Sequence, residues 1–217
     1  MNQINIDWVV ENFKEKEFTF FEIGLGDLES CQTPKLKKLI PNGNYYTFEA
    51  AEYWHEVNET YARSEGINYF KYAVSDIDGD ILFNPSLFQN GETHKVSSSI
   101  YELSEGARAL PINKIYGKPY LVKSIRLETF CNDNNIFPDF IHIDVEGAEL
   151  KVFQNIGKYK PKCIWTEISG FSHYKTETNI EEFNSYLESI GYYLVYVDGA
   201  DALYCLKEFK ITEYNQK

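Results

Sequence analysis

Carboxylate side chains stand at or beside the ends of several short apolar runs in this 217-residue chain. Glu22 closes one such run, Glu49 follows a second, and Asp144 and Glu167 end two later ones. A carboxylate in such a place can accept hydrogen bonds from ribose hydroxyls, take a proton from a reacting group or bind a hard cation. If the runs are parallel strands of one sheet, these carboxylates meet at its carboxyl edge, where α/β proteins bind their ligands.

Two glycines follow the first of these acids, in the segment Glu22-Ile23-Gly24-Leu25-Gly26-Asp27-Leu28-Glu29. Gly24 and Gly26 let the backbone turn sharply and approach a ligand closely. A dinucleotide-binding loop has a third glycine or alanine where Glu29 stands, and it must accept a pyrophosphate that Asp27 and Glu29 would repel. The same acids attract the amino group and the sulfonium of S-adenosylmethionine. The loop therefore favours this methyl donor over NAD or NADP, with a plain tight turn and helix-capping acids as the structural alternative.

Three further acids are candidate ligands of the donor. Glu49 is placed to accept both ribose hydroxyl hydrogens, although an acid at the start of a helix is also ordinary. Asp76 is a candidate acceptor for the adenine amino group, although Ser75-Asp76-Ile77-Asp78-Gly79 is equally typical of a turn. Glu146 opens a predicted helix, where it holds the donor's amino group or the acceptor, or only compensates the helix dipole. We predict that the donor is bound by Glu22, Gly24, Gly26, Glu49, Asp76, Asp144 and Glu146.

Asp144 and Glu167 are the leading candidates for catalysis, because the strands that they end are expected to be neighbours. Converging carboxylates can hold a divalent cation such as Mg²⁺ that lowers the pKa of an acceptor hydroxyl, or one of them can accept the proton directly. His142 lies two residues before Asp144, on the same face of the strand, and is a third catalytic candidate as a base or ligand. A packed, hydrogen-bonded histidine is the structural alternative.

Alternating apolar runs and helical patterns predict the elements that position these residues. Strands are predicted over residues 18–23, 45–48, 67–74, 140–145 and 163–168, and helices over 5–16, 33–40, 50–64, 127–134, 148–156 and 180–190. Residues 192–197 and 202–206 flank the Asp198-Gly199 turn as a β-hairpin. The interval 76–119 shows turn signals without a firm element and is interpreted as a lid or substrate loop. The prediction is one α/β domain over residues 1–217, with a mostly parallel Rossmann-like sheet, a C-terminal antiparallel β-hairpin and helices on both faces.

Composition narrows the classes of function. Lys and Arg number 21 against 33 Asp and Glu, a formal net charge of -12, which opposes docking on nucleic acid or on an anionic membrane. No apolar run is long enough for a membrane span, and no secretory signal is readable, so the cytoplasm is the expected location. The four cysteines lack the spacing of a zinc site or redox motif. The expected partner is a small-molecule or glycan acceptor, and no particular oligomeric state is predicted.

A longer motif resembles the FkbM-type methyltransferase family. It consists of Asp139-Phe140-Ile141-His142-Ile143-Asp144-Val145-Glu146-Gly147-Ala148-Glu149, followed by Trp165-Thr166-Glu167-Ile168. Supporting similarities are Phe48-Glu49, Ala73-Val74-Ser75-Asp76, Ser99-Ile100, Leu127-Glu128-Thr129-Phe130 and Gly191-Tyr192. The resemblance implies a class I methyltransferase fold, S-adenosylmethionine as donor, and often a hydroxyl of a sugar, glycan or polyketide as acceptor. The glycine loop lacks the small-residue and asparagine pattern common in the family, and His142 stands where a lysine is usual.

The leading hypothesis is an S-adenosylmethionine-dependent O-methyltransferase that acts on a hydroxyl of a sugar, glycan or related natural product. One alternative is a noncatalytic methyltransferase-like binding module, in which the strand-end acids would be dispensable. The other is an NAD(P)-dependent oxidoreductase, which would have to accommodate a pyrophosphate at the acidic glycine loop.

Overall fold

The structure is a computed structural model that describes residues 5–14, 17–88, 97–102, 104, 114–168, 174–175 and 179–214. Its strands are β1 (Thr19–Ile23), β2 (Asn44–Phe48), β3 (Asn68–Phe70), β4 (Ala73–Ser75), β5 (Gly79–Phe83), β6 (Ser86–Phe88), β7 (Lys114–Tyr116), β8 (Tyr120–Arg126), β9 (Phe140–Ile143), β10 (Cys163–Glu167), β11 (Tyr192–Asp198) and β12 (Asp201–Leu206). Its helices are α1 (Ile6–Phe13), α2 (Thr33–Leu39), α3 (Glu52–Glu65), α4 (Leu127–Asn134), α5 (Glu149–Gln154) and α6 (Ile180–Ser189).

The central sheet has seven strands in the order β3-β2-β1-β9-β10-β12-β11. Neighbours from β3 to β10 are parallel, and β12 runs antiparallel to both β10 and β11. The chain builds the sheet outward from β1, first through β2 and β3 and later through β9 and β10 on the other side. The strand order therefore reverses between β1 and β9, which is where ligands of such sheets bind. The predicted Rossmann-like sheet with its closing hairpin is confirmed.

Both faces of this sheet are buried, because apolar residues alternate along its strands. On β1, Phe21 and Ile23 belong to one core cluster and Phe20 to the other. The first cluster includes residues of α4, α5 and α6, such as Phe130, Phe153 and Leu187, and the second includes residues of α1, α2 and α3, such as Val9, Leu36 and Ala62. Helices thus cover both faces, as predicted. None of the helices among the described residues has both the length and the apolar character to cross a bilayer.

The segment predicted as a third strand, residues 67–74, forms two strands in different sheets. β3 pairs with β2 at the edge of the central sheet, whereas β4 pairs with β8 in a second sheet of order β4-β8-β5. Lys71 lies between them and forms an ion pair with Glu59 of α3. The prediction of one strand is wrong, because an apolar, aromatic run has the same pattern whether the chain continues straight or changes sheets.

The interval 76–119, interpreted as a loop without firm elements, contains β5, β6 and β7 among its described residues. β5 pairs antiparallel with β8, a strand that was also not predicted. The turn signal Asp78-Gly79 marks the bend between β4 and β5, and each of these strands pairs with β8 instead of with the other. Residues 89–96, 103 and 105–113 of the interval lie outside the described residues.

Candidate active site

A cavity of about 470 Å³ lies at the point where the strand order reverses. Its walls come from the glycine loop after β1, from the residues after β2 and β9, and from Tyr53 and Trp54 of α3. Residues 97–100 contribute a further wall. Of the sequence-predicted site residues, those that line the cavity are Glu22, Gly24, Gly26, Glu49, His142, Asp144 and Glu146. Asp76 and Glu167 are not among the lining residues.

Gly24 brings the ends of three strands together. Its N–H donates to the carbonyl of Phe48 at the end of β2 (3.0 Å), and the N–H of Asp144 after β9 donates to the carbonyl of Ile23 (3.0 Å). Gly24 has a φ of +76°, and a Cβ placed on it would lie 1.9 Å from the carbonyl oxygen of Asp144. Only glycine fits this position, because both the backbone conformation and the contact exclude a side chain.

The carboxylate of Glu49 is fixed beside the glycine loop. Its Oε2 accepts a hydrogen bond from the N–H of Gly26 (2.7 Å), and its Oε1 accepts one from the N–H of Ala51 (2.6 Å). Burial raises the pKa of Glu49 to about 7, although hydrogen bonds from Ala51 and Gly26 act in the opposite direction. A carboxylate held at this energetic cost at a cavity wall is a typical ligand-binding group.

Asn58 holds the same loop from α3 and was assigned no role from the sequence. Its Oδ1 accepts from the N–H of Leu28 (3.0 Å), and its Nδ2 donates to the carbonyl of Gly26 (2.7 Å). The side chain is buried, on the face of α3 that also carries Ala62. The signal in the sequence was an asparagine four residues before a core alanine, on an apolar helix face.

Glu22 accepts five hydrogen bonds from within the protein. Its Oε1 accepts from the N–H of Gln32 (2.9 Å) and from Nδ1 of His142 (2.9 Å). Its Oε2 accepts from the N–H and hydroxyl of Thr33 (2.8 and 2.5 Å) and from the thiol of Cys31 (2.8 Å). Burial alone would raise the pKa of Glu22, but the hydrogen bonds and the charge of His142 lower it to about 2. Glu22 therefore fixes both the start of α2 and the ring of His142.

Three carboxylates meet beyond β9 and β10. Asp144, Glu146 and Glu167 each place one oxygen so that all three atoms lie within 4.8 Å of one another. Oδ1 of Asp144 is buried and has no hydrogen-bond partner in the part of the chain that the structure describes. Burial raises the pKa of Asp144 well above its usual value, and the charges of Glu146, Glu167 and Glu149 raise it further. The convergence predicted for Asp144 and Glu167 is present, and Glu146 joins it.

Glu149 stands behind this cluster, at the start of α5. Its Oε1 accepts from the N–H of Val145 (3.0 Å) and of Gly147 (3.4 Å), while its Oε2 is buried and has no partner within the described ranges. Burial raises its pKa to about 8 despite these backbone hydrogen bonds. Glu149 thus holds the turn that carries Glu146.

The backbone of Glu146 is left-handed, with a φ of +56°, which is rare for a residue with a side chain. Ser99 Oγ donates to its carbonyl (2.9 Å), and the hydroxyl of Tyr174 donates to its Oε2 (2.5 Å). The buried Tyr174 ring also lies against Gly147. Neither Ser99 nor Tyr174 was assigned a role from the sequence, because the contacts join segments far apart in the chain.

Asp76 lies elsewhere. Its carboxylate forms an ion pair with Lys151 of α5 (3.3 Å), and both side chains are about one third exposed. Among the described lining residues, the neighbouring wall of the cavity is formed by Ala73 and Val74 of β4. The structure therefore does not bring Asp76 together with the other predicted ligands.

The sequence of the chain also matches a known protein family. Residues 11–194 match the model of the methyltransferase FkbM domain. The chain belongs to the FkbM methyltransferase family. Membership in the family agrees with the resemblance seen in the strand-end motifs.

One solved structure with the same fold is the crystal structure of a methyltransferase FkbM from Methylobacillus flagellatus KT. The two share 15% sequence identity with a TM-score of 0.52, over 87% of this chain and 43% of that one. This chain thus spans less than half the length of that relative, and the likeness shows the fold alone. No curated protein matches the chain.

Proposed function

We propose that this FkbM-family protein is an S-adenosylmethionine-dependent O-methyltransferase. The observation that carries the proposal is the cavity at the switch point of the sheet, lined by five carboxylates, those of Glu22, Asp27, Glu49, Asp144 and Glu146. A cationic ligand is favoured in such a cavity, and its volume lies within the range of small-molecule sites, roughly 300–1,000 Å³. When bound, S-adenosylmethionine supplies an electrophilic methyl group.

The residues present fit the donor. The Glu49 carboxylate lies beside the glycine loop, and it suits ribose hydroxyls, because an ionised carboxylate only accepts hydrogen bonds and each hydroxyl can donate one. Gly24 and Gly26 both line the cavity and both have positive φ, a backbone conformation that glycine adopts without strain. Asp144 and Glu146 supply negative charge for the donor's amino group. Glu22 contributes indirectly, by fixing the start of α2 and the ring of His142, because its own oxygens already accept hydrogen bonds from the protein.

A hydroxyl acceptor is proposed because of the acids at the ends of β9 and β10. A hydroxyl becomes a good nucleophile only when its proton is removed, and a carboxylate with a raised pKa is suited to accept it. Asp144 is the first candidate for this role, with Glu167 beside it. His142 lines the same cavity with its Nδ1 bound to Glu22, which leaves the other ring nitrogen as a second candidate base. Tyr53 and Trp54 offer aromatic surfaces on which a sugar, glycan or related natural product can pack.

A nicotinamide-dependent oxidoreductase is disfavoured by one specific contact. In that class the pyrophosphate binds at the N-terminus of the helix that follows β1. Here the N–H groups of Gln32 and Thr33, at the start of α2, are already bound by the carboxylate of Glu22. A noncatalytic binding module predicts that the strand-end acids are dispensable, and the experiment below addresses this alternative as well.

The test is calorimetric titration with S-adenosylhomocysteine, with NAD and NADP measured in parallel. The proposal predicts binding of S-adenosylhomocysteine alone, weakened by Glu49→Gln and unchanged by Glu59→Gln, which alters an exposed acid on α3. Binding of NAD or NADP alone would refute it. Methyl transfer is then screened on sugars, and Asp144→Asn is expected to abolish turnover while the protein stays folded. Full turnover in this variant would exclude the catalytic role of Asp144.

A further inference from the structure

The cluster of Asp144, Glu146 and Glu167 has a geometry beyond that of three acids close together. One oxygen of each lies within 4.8 Å of the other two. Two oxygens on opposite sides of an ion are separated by about 4.2 Å around Mg²⁺ and by roughly 4.6–5.2 Å around Ca²⁺, given their usual bond lengths. The three oxygens are therefore close enough together to contact one cation at the same time.

The hydrogen bonding of Asp144 also points to a ligand at the cluster. Asp144 is only 7% exposed, and its Oδ1 has no donor among the described residues, although a buried carboxylate oxygen normally has at least one. Oε2 of Glu149, behind the cluster, is also buried with no donor from the described residues. The negative charges of Glu146, Glu167 and Glu149 act on Asp144. A bound cation would supply positive charge at this oxygen, since a buried carboxylate oxygen without a partner is costly.

The third carboxylate is held in place before any ligand arrives. Glu146 has a left-handed backbone, its carbonyl is bound by Ser99, and its carboxylate is bound by Tyr174. Tyr174 is only 3% exposed, and Lys175 beside it pairs with Glu102 through both backbone and side chain. Contacts of this kind orient the ligands of metal sites. The left-handed backbone of Glu146 is strained, and a surface acid without a function has no need of such strain.

We propose that Asp144, Glu146 and Glu167 bind one hard divalent cation of the Mg²⁺, Mn²⁺ or Ca²⁺ type, with Tyr174 orienting Glu146. All three donors are carboxylate oxygens, a set that suits these ions and not the softer Zn²⁺ or Cu²⁺. The ion lowers the pKa of an acceptor hydroxyl that it contacts, so that a neighbouring base can remove the proton. This role in methyl transfer rests on the function proposed above, whereas the binding of the ion does not.

The experiment measures Mn²⁺ binding to the whole chain without a methyl donor. Free Mn²⁺ is followed by its electron paramagnetic resonance signal, and Mg²⁺ is added as a competitor. We expect one bound ion per chain, displaced by Mg²⁺. Asp144→Asn, Glu146→Gln and Glu167→Gln should each weaken binding by more than about 100-fold, and Tyr174→Phe, which keeps all three carboxylates, by about tenfold. Asp76→Asn is the matched control, because it removes an acid of an ion pair outside the cavity, and it should change nothing.

Some outcomes overturn the inference. Wild-type protein that binds no Mn²⁺ at millimolar concentration refutes it, whether or not the variants fold. Binding that survives all three substitutions also refutes it, since the ion then lies elsewhere.

The amino group of the donor is another cation that this cluster could bind. A second titration distinguishes it from the divalent cation. If the cluster serves only the amino group, Asp144→Asn weakens S-adenosylhomocysteine but not 5′-methylthioadenosine, which lacks the amino acid part, and wild-type protein binds no Mn²⁺. That pattern overturns the metal site. Binding of S-adenosylhomocysteine to wild-type protein tests the proposed function separately, so failure of one proposal leaves the other measurable.

Discussion

Substitution of Gly24 by alanine is the sharpest test of how the site is built. Two costs are expected. The left-handed conformation costs a residue with a Cβ about 1–2 kcal/mol. In addition, the new Cβ would lie 1.9 Å from the Asp144 carbonyl oxygen, so the strand end must move by about 1.5 Å to reach ordinary contact. Forced overpacking of this kind costs typically about 1–3 kcal/mol. The total expected loss in the free energy of unfolding is therefore about 2–5 kcal/mol.

Gly66 is the matched control, because it separates the two costs. It has nearly the same φ, +65°, but a Cβ there would meet nothing within 4 Å. Gly66→Ala should therefore lose only the conformational part, about 1–2 kcal/mol. The difference between the two variants measures how closely the glycine loop approaches β9.

The assay is urea unfolding followed by fluorescence of the three tryptophans, with thermal unfolding as a second measurement. In a chain of this length each kcal/mol lowers Tm by roughly 2–4 °C. Gly24→Ala should also lose affinity for S-adenosylhomocysteine, because the moved segment carries Asp144, whereas Gly66→Ala should bind normally. If Gly24→Ala is no less stable than Gly66→Ala, the reasoning about the close approach is refuted.

Three further predictions follow from the hydrogen bonds of the site. Glu22→Gln should lower the free energy of unfolding by about 3 kcal/mol at pH 7, because the pKa of Glu22 is lowered to about 2 in the folded protein. This deficit should shrink as the pH falls from about 4.5 towards 2, and unfolding at a series of pH values measures it; a constant deficit would contradict the assignment. Burial raises the pKa of Glu49 to about 7, so wild-type stability should decline as the pH rises from 5 to 8, and Glu49→Gln should lack that part of the decline. The affinity of the wild type for S-adenosylhomocysteine should instead rise with pH, because Glu49 becomes ionised, whereas the affinity of Glu49→Gln should not. Calorimetry at pH 6 and 8 measures both. Asn58→Ala should cost about 1–3 kcal/mol for each loop group left without a partner, at Leu28 and Gly26, and should weaken S-adenosylhomocysteine; unchanged affinity would mean that Asn58 does not hold the loop for the ligand.

The sequence predicts the site well where strand order alone decides proximity. Asp144 and Glu167 end β9 and β10, which are adjacent and parallel, so their convergence needs no information beyond the alternation of strands and helices. The same reasoning misplaces Asp76, because it assumes that residues 67–74 form one strand of the central sheet. The chain instead changes sheets before β4, and Asp76 pairs with Lys151.

Contacts between segments that are distant in the chain could not be predicted from the sequence. Tyr174 and Ser99 reach Glu146 across 28 and 47 residues, and no periodicity within either segment indicates such a pairing. Asn58 left a weak local signal, a polar residue on an apolar helix face, but its partners lie 30 residues away. β8 was missed because the turn signals of residues 76–119 were extended to its start, although its burial alternates between exposed and buried residues in the middle of the strand.

Glu22 and Asp144 occupy equivalent positions in the sequence pattern but differ in the hydrogen bonds that they accept. Glu22 and Asp144 both lie at the carboxyl end of a central strand and both are buried. Glu22 accepts five hydrogen bonds, and its pKa is lowered, so the protein itself satisfies its charge. Asp144 has a bare oxygen and a raised pKa among like charges, so its ionised form requires something that the described part of the chain does not supply. The first is thus part of the scaffold, and the second is where a cationic ligand gains the most.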